Sequence, residues 1–281
     1  MPAAGRAGLR LAGGRSGGKS VGRSGGIRVG RGSPVRYEVL GPLRVSDANG
    51  PVPITARKTE TVLAVLLART GQVVSVDDLV RELWPQGPPP RARDAVYVYV
   101  SQLRKLLARG GEPEPIITRA PGYVLWTLPQ AIDFHALQEH LPTARGMMRE
   151  RRYEEACDLL EKVVALWRGP VLNGLQSGPV VNAFAAWLQE LQLECTELLV
   201  ESKLMLSRDR EVVSQLRCLI REHPLQETFY AQLMLALWRS GRQADALQVY
   251  RSARDTLHRE LGLEPGCWLR NLQRTILEVR A

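Results

Sequence analysis

The chain has 281 residues, of which 44% are apolar, and a formal net charge of +9. That length suits one large domain or two ordinary ones with real cores, and no apolar run approaches the ~18 residues a membrane span needs. The four cysteines, Cys157, Cys195, Cys218 and Cys267, are widely spaced with no CxxC pair. They read as small core residues, which argues against a zinc site or disulfide framework and fits a reducing, cytoplasmic location.

The charge is unevenly placed. Residues 1–34 hold seven Lys or Arg and no acid, residues 35–127 hold twelve basic and nine acidic side chains, and residues 128–281 hold nineteen and twenty. The Gly-, Arg- and Ser-rich residues 1–34 have no apolar stretch for a core or a secretory signal and read as a disordered tail. Within it, Gly13-Gly14-Arg15-Ser16-Gly17-Gly18-Lys19-Ser20 matches the phosphate-loop pattern GxxxxGK[ST] letter for letter. Phosphate binding by such a loop needs a strand before it and a helix after it. LRLA and VGRSGGI supply neither, so chance in a biased segment is the better reading. Val35 to Leu40 looks like a natural beginning, as in a chain whose start is assigned too early.

Residues 35–128 alternate short strands and helices. Tyr37–Leu40, Leu43–Val45 and Val52–Ile54 are apolar runs separated by Gly41-Pro42 and Asn49-Gly50, the pattern of a small antiparallel sheet. Thr59–Arg69 is a compact apolar helix. Ser75 is placed to cap a helix over Val76–Trp84, with Asp77 and Asp78 in its first turn, and Pro85 ends it. Gly87-Pro88-Pro89-Pro90 then leads stiffly into Arg91–Leu107. Ile116–Arg119 and Tyr123–Trp126 follow as a hairpin, joined by Ala120-Pro121-Gly122, whose Pro and Gly suggest a type II turn.

Arg91–Leu107 is the stretch on which a function can be built. At a helical period, Ala95, Val96, Tyr99, Val100, Leu103, Leu106 and Leu107 fall on one side. Arg93, Asp94, Tyr97, Val98, Ser101, Gln102, Arg104 and Lys105 fall on the other. Cations for phosphate, polar tips for base edges and an aliphatic group for a thymine methyl together suit a helix in a DNA major groove. An ordinary amphipathic surface helix carries the same pattern, so the flanking elements decide. Their order, sheet, two helices, basic helix and hairpin, is that of a winged helix-turn-helix. Arg119 then lies at the hairpin tip, within reach of a phosphate or simply solvated.

Residues 130–281 read as helical throughout, over Phe134–Met148, Tyr153–Leu166, Val181–Leu206, Glu211–Glu222, Thr228–Ser240, Gln243–Leu257 and Trp268–Arg280. Ser207–Val213 aligns with Ser240–Ala246 at an offset of 33, with Ala156 and Ala246 as small residues where helices cross. That is the period of tetratricopeptide-like hairpins, whose stacks offer concave surfaces to protein partners. His135, His140, His223 and His258 lack metal-ligand spacing, and no catalytic constellation is visible. The fold class is therefore mainly α with small β: an N-terminal winged helix-turn-helix over 35–128 and an all-α tetratricopeptide-like domain over 130–281.

Two resemblances sharpen this. Gln72–Leu79, Leu83-Trp84, Val100–Leu107 and Ile117–Leu125 resemble the OmpR-type winged-helix domain. Leu166-Trp167-Arg168-Gly169-Pro170, His223–Glu227, Leu233–Leu247 and Glu260–Gly266 are similar to the bacterial transcriptional activation domain. Joined, they resemble the Streptomyces antibiotic regulatory protein family. The resemblance implies a non-enzymatic activator of antibiotic biosynthetic genes that needs no cofactor. It would bind direct repeats of double-stranded promoter DNA near the −35 element as a head-to-tail dimer, recruiting RNA polymerase holoenzyme through its sigma factor. It implies base reading by Arg93, Asp94, Tyr97, Val98 and Ser101, and phosphate contacts by Arg57, Lys58, Arg104, Lys105 and Arg119, with Arg91 and Tyr123 in the same DNA-contacting set. A cytoplasmic, nucleoid-associated location follows from the same likeness. The alternative is a helical-repeat interaction scaffold with only accessory DNA binding.

Overall fold

The structure is a computed structural model that describes residues 35–108, 115–175 and 178–278. The readings made on residues 1–34, the phosphate-loop match included, lie outside the described residues. Strands β1 (Arg36–Glu38), β2 (Arg44–Asp47) and β3 (Gly50–Pro51) form an antiparallel sheet in that order. The third strand comes earlier than Val52–Ile54 because the reversal at Asn49, whose amide is held by the Asp47 carboxylate at 2.7 Å, starts the pairing at once. Val52 N–H still donates to Val45 at 2.8 Å.

Helices α1 (Arg57–Ala68), α2 (Val76–Leu83) and α3 (Ala92–Leu107) follow, with β4 (Val74–Ser75) before α2. Ser75 caps α2 as expected, its hydroxyl accepting from the Asp78 amide at 3.0 Å. Strands β5 (Ile116–Arg119) and β6 (Gly122–Leu125) make the hairpin, and β6 lies centrally in a second antiparallel sheet of order β4-β6-β5. The hairpin turn differs from type II. Arg119 pairs with Gly122, so Pro121 stands at the third turn position, and the Ala120–Pro121 peptide is cis. Gly122 is required for a different reason: a Cβ there would lie 1.8 Å from the Val74 carbonyl oxygen.

Seven α-helices follow among the described residues: α4 (Asp133–Arg149), α5 (Tyr153–Val164), α6 (Pro179–Met205), α7 (Asp209–Glu222), α8 (Glu227–Arg239), α9 (Gln243–Leu261) and α10 (Cys267–Glu278). Every expected helix is present with ends moved by a few residues, as helix boundaries commonly are. Ala156 and Ala246 are fully buried, as residues at close helix crossings must be. Cys157 and Cys195 are core residues, and burial pushes the Cys195 thiol up to about 12. Cys218 and Cys267 are instead exposed.

The buried residues form two clusters that are not divided between the winged and helical segments. One apolar cluster runs continuously from Val35 to Leu199, and a second joins residues from Val200 to Ile276. The reason is visible in α1. Thr61 through Leu67 are all buried, so these two turns of the helix have no solvent face. A helix apolar all round must be covered all round: α2, α3 and β6 cover part of α1, and α6 of the helical unit lies on the rest. Each buried Leu contributes about 1.5–3 kcal/mol by leaving water.

Polar groups fix the same seam. The Asp133 carboxylate, at the start of α4, accepts from the Val39 and Leu40 amides at 2.9 and 3.1 Å. Arg168 N–H donates to the Leu40 carbonyl at 2.8 Å, and Leu172 N–H to that of Gly41 at 2.7 Å. Fully buried Glu82, on α2, accepts from the Val180 and Val181 amides at 2.9 and 2.8 Å. These are unpaired donors at the start of α6, where a carboxylate is favoured by both hydrogen bonding and the helix dipole. Gly178 permits the approach, since a Cβ there would lie 2.4 Å from the Glu82 carboxyl carbon.

Candidate nucleic-acid interface

α3 buries Ala92, Val96, Val100, Leu103 and Leu107, the face that its periodicity marks out. The opposite face exposes Arg91, Arg93, Asp94, Tyr97, Val98, Ser101 and Lys105. Tyr97 and Val98 are 49% and 53% exposed. Two adjacent apolar side chains in water contribute little to the fold, so their presence on an otherwise polar face marks a surface available for contact. Asp94 sits in the first turn of α3 but makes no side-chain cap.

The charges on this face are not equivalent. Lys105 is exposed, and no described carboxylate lies within ion-pair distance of it. Arg93 reaches Asp77 at 2.5 Å, but both side chains are more than 60% exposed. An exposed pair of this kind is worth at most ~1 kcal/mol, so a phosphate or base edge can compete for the guanidinium. Arg119 is exposed at the end of β5, beside the hairpin turn. Arg57 is exposed at the first position of α1 and lies close to Gly174 of the helical unit.

Three of the expected contact residues are engaged inside the protein. Arg104 donates through Nε and Nη2 to the Ile116 carbonyl at 3.0 and 2.8 Å, and through Nη2 to the Thr118 hydroxyl at 2.8 Å. Its guanidinium carbon stands 5.6 Å from the Tyr123 ring centroid. Arg104 therefore fastens the hairpin to α3. Tyr123 is buried, contrary to its reading as a surface contact, because β6 is the central strand of its sheet and faces the core. Burial pushes the Tyr123 phenol above its usual 10.0, with the Arg104 charge opposing. Lys58 donates to the Leu83 carbonyl at 2.7 Å and lies 4.3 Å from the Trp84 ring centroid. It closes the C-terminal end of α2, where a cation is favoured, and partial burial lowers its pKa.

The sequence did not single out the supports of this surface. Thr59 donates to Gln102 at 2.9 Å and ties α1 to α3. Asp77 aligns Arg93. Glu82 joins the winged unit to α6. Their partners stand 16 to 99 positions away in sequence, so no local pattern reports them. Among the described residues no group of three His, Cys, Asp or Glu is arranged to hold a metal ion, and no helix is long and apolar enough to cross a membrane. The arrangement is an exposed helix face beside a hairpin, with cations at its margins and polar and apolar side chains at its centre.

Comparison with known proteins agrees with this geometry. Residues 50–125 match the family model described as transcriptional regulatory protein, C terminal, and residues 132–277 match that described as bacterial transcriptional activator domain. The transcriptional regulatory protein EmbR of Mycobacterium tuberculosis (strain ATCC 25618 / H37Rv) is 35% identical over 243 residues, covering 86% of this chain and 63% of that protein. The transcriptional regulator RedD of Streptomyces coelicolor is 33% identical over 243 residues, covering 85% and 69%. The regulatory protein AfsR of the same organism is 35% identical over 244 residues, covering 86% of this chain and 24% of AfsR. The solved structure of M. tuberculosis EmbR in complex with a low affinity phosphopeptide superposes with a TM-score of 0.82 at 34% identity, covering 86% of this chain and 65% of that one. The chain thus spans less than two thirds of EmbR's length.

Proposed function

Because the chain belongs to the Streptomyces antibiotic regulatory protein family of transcriptional regulators, we propose that it is a sequence-specific DNA-binding activator of an antibiotic biosynthetic gene cluster. The observation that carries this is the α3 face on which Tyr97, Val98, Ser101 and Lys105 stand exposed beside the hairpin. In this reading α3 enters a major groove. Arg93, Asp94, Tyr97, Val98 and Ser101 meet base edges. Arg91, Lys105, Arg119 and Arg57 meet phosphates and set the register. Arg104 and Lys58 hold the hairpin and α2 in position behind that surface.

The target is a pair of direct repeats beside the −35 element. Two protomers lie head to tail, with repeats spaced by whole helical turns so that both α3 helices face one side of the duplex. The helical unit contacts RNA polymerase holoenzyme, including its sigma factor. The continuous core between the two units favours this, because a partner bound to the helices is then held in fixed relation to α3. Action on a chromosomal promoter places the protein in the cytoplasm, at the nucleoid.

The test is competition between a promoter fragment and random duplex across a salt series. Specific affinities exceed non-specific ones by about 10³–10⁷. A ratio near one at every salt concentration overturns the proposal.

A further inference from the structure

A cationic channel on the helical unit has no role in the DNA surface. Arg210, Arg217 and Arg221 are exposed on α7, and their spacing of seven and four residues aligns them along one helical face. Two depressions meet at Arg217. One, of about 540 Å³, has Val213 and Ser214 on one wall and Arg242 on the other. The second, of about 360 Å³, continues past Arg221 over Ile220, Leu233 and Val249, between α7, α8 and α9.

Among the described residues no carboxylate lies within ion-pair distance of Arg210, Arg217 or Arg221. The acid in the channel, Asp245, is held by Arg242 at 2.6 Å. Arg221 donates to the Arg217 carbonyl at 3.3 Å in the last turn of α7, where a cation is favoured. Arg217 stands four residues from it with like charge, and Arg210 lies at the cation-disfavouring start of the helix, so stability does not account for these two. A cationic row above an apolar floor is a composite surface. The guanidinium forks match carboxylates two bonds at a time, and the floor accepts side chains that leave water.

We propose that this channel between α7 and α9 binds an acidic, partly apolar peptide segment of a protein partner. Duplex DNA is a poorer fit, since phosphates have no use for the apolar floor and the Asp245 carboxylate lies among the lining groups. The inference stands independently of promoter recognition, because peptide capture is measured without DNA.

The experiment is fluorescence anisotropy on the full chain. The probe is a labelled short peptide alternating Asp or Glu with Leu or Phe, compared with its Asn/Gln counterpart. The acidic peptide is expected to bind at least tenfold more tightly. Arg217→Glu with Arg221→Glu is expected to weaken it at least tenfold with an unchanged far-ultraviolet spectrum, while Arg149→Glu, at the end of α4, leaves it unaltered. Equal affinity for the acidic and neutral peptides, or undiminished binding by the double variant, overturns the proposal. So does displacement of the peptide by random duplex DNA together with loss of DNA affinity in the double variant, which assigns the arginines to nucleic acid.

Discussion

The Glu82 carboxylate accepts the Val181 amide at 2.8 Å across 99 positions of sequence, so the last turn of α2 supplies the N-terminal cap of α6. A helix-capping contact is ordinarily local. Here it is made between the two units, and it lies beside the α1 surface that α6 covers. The unit that carries α3 and the unit that carries the tetratricopeptide-like helices therefore share a cap as well as a core.

Removing that cap leaves the buried Val181 amide and the half-buried Val180 amide without their acceptor. Glu82→Ala is expected to lower stability by roughly 2–4 kcal/mol, read as a lower urea midpoint. Gly178→Ala, which puts a methyl against the same carboxylate, is expected to act in the same direction. Unchanged midpoints for both would show that α6 begins without Glu82.

Arg104 and Lys105 are adjacent in sequence and separate in role. Arg104→Ala loses the hydrogen bonds to Ile116 and Thr118. It is expected to cost about 1–3 kcal/mol of stability and to weaken DNA binding by freeing the hairpin, with little change in salt dependence. Lys105→Ala is expected to leave the urea midpoint unchanged and to reduce the slope of log affinity against log salt by about 0.9, the loss of one phosphate contact. Equal salt slopes for the two variants would contradict this division.

Tyr97 and Val98 are half-exposed, so truncating either is expected to change stability by no more than ~0.5 kcal/mol. On DNA, each is expected to relax preference at particular bases by about 1–3 kcal/mol, measured with a panel of single-base variants of the bound site. Uniform loss across the panel would make them general contacts.

The cap of α2 gives the molecule an acid-sensitive point. Asp78 is held below its usual 3.8, chiefly by the Ser75 hydroxyl and further by Arg81. A carboxyl lowered in the folded state contributes stability that is present above its unfolded value and lost as pH falls through the folded one. Asp133 acts in the opposite sense. Burial raises its pKa against the Val39 and Leu40 hydrogen bonds, so its contribution is fullest below 3.8 and declines as pH rises through the raised value. Asp78→Asn is expected to flatten the fall in melting temperature between about pH 5 and pH 3. An acid limb as steep as that of the natural chain would place the sensitivity elsewhere.

What could be read from the sequence was what is periodic. The buried face of α3, the Ser75 cap and the α-helices among the described residues follow from apolar spacing and local capping chemistry. Thr59–Arg69 reads as a compact apolar helix, but the complete burial of Thr61–Leu67 and the neighbours that cover it do not follow from that. The fate of individual charges was not legible. Arg104, Lys58 and Lys105 look alike in a list of basic residues. Only the hairpin carbonyl and the end of α2 distinguish the first two from the third. The burial of Tyr123 was not legible for a related reason: alternation in a four-residue strand does not say whether its sheet is open on one side. Glu82 resembled any surface acid because its partners lie in another unit.

The most direct measurement is footprinting of the full chain, at moderate salt, on promoter fragments from the neighbourhood of its own gene. Protection of two direct repeats one or two helical turns apart is expected, retained by Arg149→Glu and lost or shifted by Tyr97→Ala with Val98→Ala. Protection no greater than on random DNA, or a protected site indifferent to the α3 substitutions, would contradict the assignment of α3 as the element that reads sequence.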